Sequence, residues 1–154
     1  RLLVNESYEQ LVAWPLINPD DIEDSHMFAQ NELLISHILI GFAGASLTQQ
    51  PKRSLDDAFV LAQNIKNQFL SGENFSGLAE KYSDDPGVEK NAGIVGWVSW
   101  GMTVPEFQST AFRLEIGSLS DPVLTTYGYH LILVTDSRPS DYQYMSDEEY
   151  QDVV

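Results

Sequence analysis

The chain has 154 residues, a length that predicts one domain with appendages, or one domain and part of another. Its 8 basic and 23 acidic side chains give a formal net charge of −15, which argues against nucleic acids and anionic membrane surfaces as partners because both attract basic proteins. The chain contains no cysteine, which excludes disulfides and cysteine nucleophiles, and 43% of its residues are hydrophobic, too many for general disorder.

Residues 1–32 differ in composition from the rest of the chain and are expected to form a helical extension. Asn5 is suited to cap one short helix, which Pro15 would end, and Asn18 to cap a second. Neither helix is long enough to be stable alone. The extension is therefore expected to pack on the main domain or on sequence outside this chain.

The next segment predicts a strand and a loop. Residues 33–40, LLISHILI, are rich in branched apolar side chains on both faces, which is typical of a central strand. The loop over residues 41–54 carries one small basic spot, Lys52 and Arg53.

Two helices are predicted after this loop. Ser54 is placed to cap the first and Asn74 the second, because both side chains accept hydrogen bonds from a first helical turn. The spacing of apolar residues predicts that the first helix buries Leu55, Phe59, Ala62, Ile65 and Phe69.

The remaining pattern predicts a strand at 94–98, a short helix opened by Pro105, and two final strands at 123–125 and 129–135. In the last strand, His130, Ile132 and Val134 share one face. This order of elements predicts an α+β domain with a mixed or mostly antiparallel sheet and helices over it. The acidic residues 139–154 are expected to form a loosely held tail or exit segment.

Two histidines stand in strand-like runs that are expected to be neighbours, His37 in the first strand and His130 in the last. Taken singly, such a histidine is more often a hydrogen-bonded core residue, and Asp85 belongs to a sequence typical of a turn. The three histidines and many carboxylates form no cluster with metal-ligand spacing, so a metal site is not expected. A glycine-rich phosphate loop and a nucleophile-elbow sequence are also missing from the sequence.

Several motifs between Asn31 and about Arg138 resemble those of the parvulin-type peptidyl-prolyl cis/trans isomerases. Each motif is weak alone, but their order and spacing together are specific. The motifs are Ser36-His37-Ile38-Leu39, Phe75–Leu78-Ala79 followed by Tyr82-Ser83-Asp84, Gly93–Gly96-Trp97, Gly101–Val104-Pro105–Phe107, and Thr125–Tyr127-Gly128-Tyr129-His130.

The resemblance implies a four-stranded, mostly antiparallel sheet wrapped by about four helices. It places the isomerase domain at residues 33–138 and leaves out the acidic tail at 139–154. Residues 1–32 would then be a helical extension and a possible remnant of a chaperone region.

The resemblance also implies the catalytic residues. They are two sheet histidines, His37 and His130, with Asp85 facing them and Thr125 supporting them from a strand. Retention of the first three together favours an enzyme, because a degenerate copy of the domain would be free to lose them.

A proline-binding pocket is implied at Val95, Thr103 and Phe107, with Met102 beside it and Tyr127 nearby. Thr103 departs from the methionine that is common in the family at its position.

The expected function is isomerisation of X-Pro bonds in unfolded or folding proteins, with proline-containing unfolded polypeptides as partners and no cofactor. Phosphate-directed specificity is not expected, because the loop after the first strand offers only Lys52 and Arg53. The alternative is a binding module that holds peptide on the same fold without catalysis. The motifs look like those of exported bacterial foldases and chaperones, which implies the periplasm or cell envelope and a membrane anchor or chaperone region outside this chain.

Overall fold

A computed structural model describes residues 27–140, which contain four strands and four helices. The strands are β1 (Asn31–Ile40), β2 (Ile94–Val98), β3 (Val123–Thr125) and β4 (Gly128–Pro139), and the helices are α1 (Leu55–Leu70), α2 (Phe75–Tyr82), α3 (Val88–Asn91) and α4 (Pro105–Ala111). Most of the helical extension expected at residues 1–32, and all but the first two residues of the acidic tail, lie outside the described part of the chain.

The four strands form one sheet in the order β2-β1-β4-β3, and all three pairings are antiparallel. This confirms the α+β prediction. The central position of β1 explains why its side chains are apolar on both faces, since a central strand has a layer on each side. In the register between the two central strands, Ile38 lies opposite Leu131 and Leu39 lies opposite His130.

One face of the sheet, called the core face, is closed by α1 and α2. Its central side chains are Ile38 and Ile40 of β1 with Leu131 and Leu133 of β4. The helices pack on them with residues that are less than a tenth exposed: Ala58, Ala62, Ile65, Phe75, Leu78 and Ala79. This apolar layer forms the largest part of the hydrophobic core in residues 27–140.

The predicted buried face of α1 was wrong at two positions. Leu55 and Phe59 are 40% and 39% exposed, while Ala58 is fully buried. The small side chain of Ala58 lets the helix approach the sheet closely, so the buried face turns towards it. The predicted caps are confirmed, because Ser54 Oγ accepts the N–H of Asp57 at 3.1 Å, and the Asn74 side chain accepts a backbone N–H in α2.

Gly93 draws β2 against β1 beside the first histidine. Its φ of +91° is unfavourable for other residues, and a Cβ there would lie 2.8 Å from the Ala79 Cβ and 3.0 Å from the His37 carbonyl oxygen. Its own carbonyl accepts the His37 N–H at 2.8 Å. The preceding helix α3 was not predicted from periodicity, because four residues are too few to show one.

The opposite face of the sheet, called the site face, is covered in part by α4. Pro105 stands in the first turn of this helix, as predicted, and Phe107 and Ala111 are fully buried. They pack with Ile35 and Val134 from the central strands. Within residues 27–140, no helix combines the length and apolarity needed to cross a membrane.

Candidate active site

Four polar side chains on the site face form a continuous line. Asp85 Oδ2 lies 2.8 Å from His37 Nε2, His37 Nδ1 lies 3.2 Å from His130 Nδ1, and His130 Nε2 lies 2.7 Å from Thr125 Oγ1. The line runs from a carboxylate near the surface, with 15% of its side chain exposed, to a threonine that is 8% exposed. The four residues that the family resemblance assigned to catalysis are therefore in direct contact.

The register of the central strands brings the two histidines together. His130 lies opposite Leu39, and His37 lies opposite Ile132, so the histidines are diagonal neighbours on one face. Such neighbours are within reach when their side chains are large. The two imidazole rings stack with centroids 5.4 Å apart and an angle of 19° between their planes.

The hydrogen bonds fix a consistent set of protons when both histidines are neutral. His37 donates from Nε2 to the Asp85 carboxylate, which leaves its Nδ1 as an acceptor. His130 then donates from Nδ1 to His37, and the Thr125 hydroxyl donates to His130 Nε2. These tautomers are assigned from the hydrogen-bond network. Every member of the line has a partner in this arrangement.

Burial and hydrogen bonding keep Asp85 and His130 in different charge states. Burial lowers the pKa of His130 well below 6.5, and the neighbouring His37 lowers it further, so His130 is neutral near pH 7. The hydrogen bond from His37 lowers the pKa of Asp85 below 3.8 against the opposing effect of burial, so Asp85 is ionised. The line therefore carries a negative charge at Asp85, while His130 is neutral.

An apolar wall stands beside the histidines. Phe107 is fully buried and meets both rings edge-on, with centroids 6.0 Å from His37 and 5.4 Å from His130. Three other predicted pocket residues pack in the same apolar cluster as Phe107. They are Val95, Met102 and Tyr127.

Thr103, the remaining predicted pocket residue, lies between two members of this cluster, Met102 and Val104. It is 3% exposed, and its hydroxyl finds no hydrogen-bond partner among residues 27–140. The chain thus holds, beside the apolar wall, a buried hydroxyl that has no partner among residues 27–140.

Comparison with known proteins assigns the chain to a family. The family model of the PPIC-type PPIase domain matches residues 22–138, which is more than half of the chain. The chain belongs to this family. The parvulin-type resemblance carried by the motifs is confirmed.

The relatives include foldases and chaperones. A foldase protein PrsA from Geobacillus kaustophilus is 46% identical over 88 residues, which cover 56% of this chain and 31% of the relative. A chaperone SurA from Chromohalobacter salexigens is 38% identical over 107 residues, covering 70% of this chain and 23% of the relative. The chain thus spans less than a third of the length of these two curated relatives.

A solved structure gives the same fold. The crystal structure of a peptidylprolyl isomerase, PrsA, from Bacillus cereus superposes with a TM-score of 0.63 at 33% identity. The match covers 89% of this chain and 45% of that chain. The four-stranded parvulin fold predicted from the motifs is thereby confirmed.

One part of this PPIase-family site was missed in the sequence. Ser83 and Asp84 were noticed only as pieces of a motif, yet Ser83 Oγ accepts the Leu39 N–H at 3.1 Å, and the Asp84 N–H donates to the Leu39 carbonyl at 2.7 Å. Asp84 also pairs with Arg53 at 2.6 Å. The signals available were the Ser83-Asp84-Asp85 sequence and, far from it in this acidic chain, the basic pair Lys52 and Arg53 in the loop after β1. Among residues 27–140, no group of three or more His, Cys, Asp or Glu side chains could hold a metal ion.

Proposed function

We propose that this domain is a peptidyl-prolyl cis/trans isomerase that acts on exposed X-Pro bonds of unfolded or folding polypeptides, without a requirement for phosphate. The observation that carries the proposal is the line of Asp85, His37, His130 and Thr125 beside the buried ring of Phe107. Membership of the PPIC-type PPIase family supports the same function.

Isomerisation of an X-Pro bond makes and breaks no covalent bond. The enzyme therefore acts only by binding the peptide, which requires a surface with apolar and polar groups in fixed places. Rotation about an X-Pro bond must overcome a barrier of about 18–20 kcal/mol that arises from amide resonance. An enzyme lowers the barrier by binding the twisted amide better than either planar form. Val95, Met102 and Tyr127 are partly exposed and pack in the apolar cluster of the buried Phe107, so they can hold the pyrrolidine ring and exclude water. Exclusion of water favours the twisted amide because its carbonyl is less dipolar. The polar line then fixes the orientation of the peptide, with Asp85 near the carbonyl or biasing the histidines.

The test is an exchange experiment. NMR measures the cis/trans exchange rate of an Ala-X-Pro-Phe peptide with and without the protein, and we expect clear acceleration. Asp85→Ala should lower kcat/KM about tenfold or more, because His37 loses the group that orients it. Asp136→Ala is the matched control. Asp136 is an exposed carboxylate on β4, and among residues 27–140 its side chain accepts a hydrogen bond only from the adjacent Ser137 N–H.

The same experiment separates the enzyme from a peptide-binding module. A protein that shifts the peptide resonances on binding but leaves the exchange rate unchanged at saturation would be a binding module, and the isomerase proposal would be wrong.

Substrate selection depends on the charges near the site. Arg53 already forms an ion pair with Asp84, and the next residue in the chain, Asp85, is a second carboxylate. The whole chain has a formal net charge of −15. A phosphoserine in front of proline would meet repulsion rather than a free arginine. We therefore propose that a phosphoserine-proline peptide is isomerised no faster than its unphosphorylated twin.

The setting of the domain is proposed by analogy with the foldases and chaperones that it resembles. We propose that residues 33–138 are the isomerase unit, that residues 1–32 belong to a chaperone region, and that 139–154 form an acidic tail. We place the protein in the periplasm or cell envelope, with a possible membrane anchor or chaperone region outside this chain. Fractionation of the source cells tests the location.

A further inference from the structure

Arg53 lies in the long loop after β1 and binds both the residue that follows this strand and the segment that carries Asp85. Its Nη1 donates to Asp84 Oδ2 at 2.6 Å and to the Gly41 carbonyl at 3.1 Å. The same Asp84 oxygen accepts the Gly41 N–H at 2.9 Å. Arg53, Asp84 and Gly41 therefore form a closed ring of hydrogen bonds, called here the arginine clamp.

The arginine clamp sits where β1 ends and where the segment carrying Asp85 passes. Asp84 is bound to this strand end by its side chain at Gly41 and by its backbone N–H at Leu39. The side chains of Arg53 and Asp84 are 28% and 24% exposed, so the pair is partly shielded from water. Partial shielding and shared hydrogen bonds make such a pair stronger than an ordinary surface ion pair.

Asp85 depends on this segment for its position. Its Oδ2 must lie 2.8 Å from His37 Nε2, and its other oxygen accepts the Gly87 N–H at 3.0 Å in the following turn. The turn fixes Asp85 from the C-terminal side. On the N-terminal side, the neighbouring residue is Asp84. Among residues 27–140, Arg53 is the only cationic side chain that binds Asp84.

We propose that Arg53 is a positioning residue of the isomerase site, which acts through Asp84 to hold the Asp85 carboxylate against His37. The inference rests on the proposed isomerase function. It gives the loop arginine a role within the site, distinct from recognition of a substrate charge. Loss of Arg53 loosens the segment at residues 83–85, which is then held on this side by its bonds to Leu39 and Gly41. Displacements of about 1 Å at a catalytic group can cost large factors in rate.

The first test is kinetic. Arg53→Gln should lower kcat/KM about tenfold, and Arg53→Lys should restore most of the loss, because an ammonium can still donate to Asp84 and to the Gly41 carbonyl. Lys66→Gln is the matched control: it breaks the 2.8 Å ion pair between Lys66 and the exposed Asp121 and should leave kcat/KM unchanged.

The decisive comparison adds Arg53→Gln to a protein that already carries Asp85→Ala. An arginine that acts through Asp85 has nothing left to position, so the second substitution should lower kcat/KM no further. A further tenfold loss in that background would show a general structural role and overturn the proposal.

A second measurement does not depend on activity. The pKa of Asp85, followed by the carbon resonance of its carboxyl group, should rise towards 3.8 in Arg53→Gln because the hydrogen bond from His37 lowers that pKa. Arg53→Lys should keep the wild-type midpoint. If the wild type fails to isomerise peptides, the proposed function is wrong, while this titration still tests the clamp. An unchanged midpoint in Arg53→Gln would overturn the positioning role.

Discussion

The two faces of the sheet use the same two strands for opposite purposes. On the core face, Ile38 and Leu131 stand opposite one another and are fully buried under α1 and α2. On the site face, the neighbouring positions hold His37 and His130, which are equally buried at 1% and 0% exposure. Burial is therefore equal on the two faces, and the difference lies in what the buried atoms require.

The core face requires only volume, whereas the site face requires partners. Apolar side chains gain free energy by leaving water, and their packing tolerates changes of shape within limits. Buried polar groups must be hydrogen-bonded or they cost about 1–3 kcal/mol each. The line from Asp85 to Thr125 meets this requirement by linking side chains from different strands and loops. The site is thus built by pairing polar groups within a buried layer.

The largest expected effect separates stability from activity. Ile38→Ala should lower the free energy of unfolding by about 2–5 kcal/mol, because it leaves a cavity in the core face. Phe107→Ala on the site face should cost about 3–5 kcal/mol and also remove the wall beside the histidines. Urea unfolding measures the free energy of unfolding, and NMR exchange rates per folded molecule measure the activity.

Only the site-face variant should lose activity once unfolded protein is taken into account. An equal loss of activity per folded molecule in Ile38→Ala and Phe107→Ala would contradict the claim that the core face serves stability alone while the site face also serves activity.

The core face and the order of most elements along the chain could be predicted from the sequence. The branched apolar run around His37 predicted a central strand, and the caps Ser54 and Asn74 predicted the starts of two helices. Leu55 and Phe59 were misplaced because periodicity fixes a helix face only to within about one residue, and the presence of Ala58 decided the close contact.

The site could be predicted only through the family motifs. Periodicity placed His37 and His130 in strands that were expected to be neighbours, but the diagonal contact between their rings depends on the register. The contact between Arg53 and Asp84 joins residues 31 positions apart and leaves no periodic pattern in the sequence. Such long-range polar pairs need the folded structure to be seen.

The next effect is a pH dependence of stability that arises on the site face. The folded protein keeps the pKa of His130 well below 6.5, whereas the unfolded chain takes up a proton near 6.5. The unfolded state then binds more protons, so the free energy of unfolding should fall as the pH drops below 6.5 towards the folded pKa. The slope for one proton is about 1.4 kcal/mol per pH unit, and it is measured by urea unfolding between about pH 8 and 5.5.

Two variants test the assignment of this slope. His130→Gln should remove much of it, whereas Thr125→Val should keep it, because the imidazole remains buried although one hydrogen bond is lost. A slope that survives in His130→Gln would assign the proton to another group. The lowered pKa of Asp85 adds a separate loss of stability only as the pH falls from about 3.8 through its folded pKa, outside the range of the measurement.

The smallest expected effect compares two buried threonines. Thr103→Val should raise the free energy of unfolding by about 1 kcal/mol, because it replaces a hydroxyl that has no partner among residues 27–140 by a methyl group of similar size. Thr125→Val should lower it by a similar amount, since its hydroxyl contacts His130 and accepts the Tyr127 N–H at 3.2 Å. The same substitution thus has opposite signs according to whether the hydroxyl is paired. If Thr103→Val instead lowers the free energy of unfolding, the Thr103 hydroxyl has a hydrogen-bond partner in solution, such as a bound water. Both buried threonines would then be paired, and the contrast between them would be wrong.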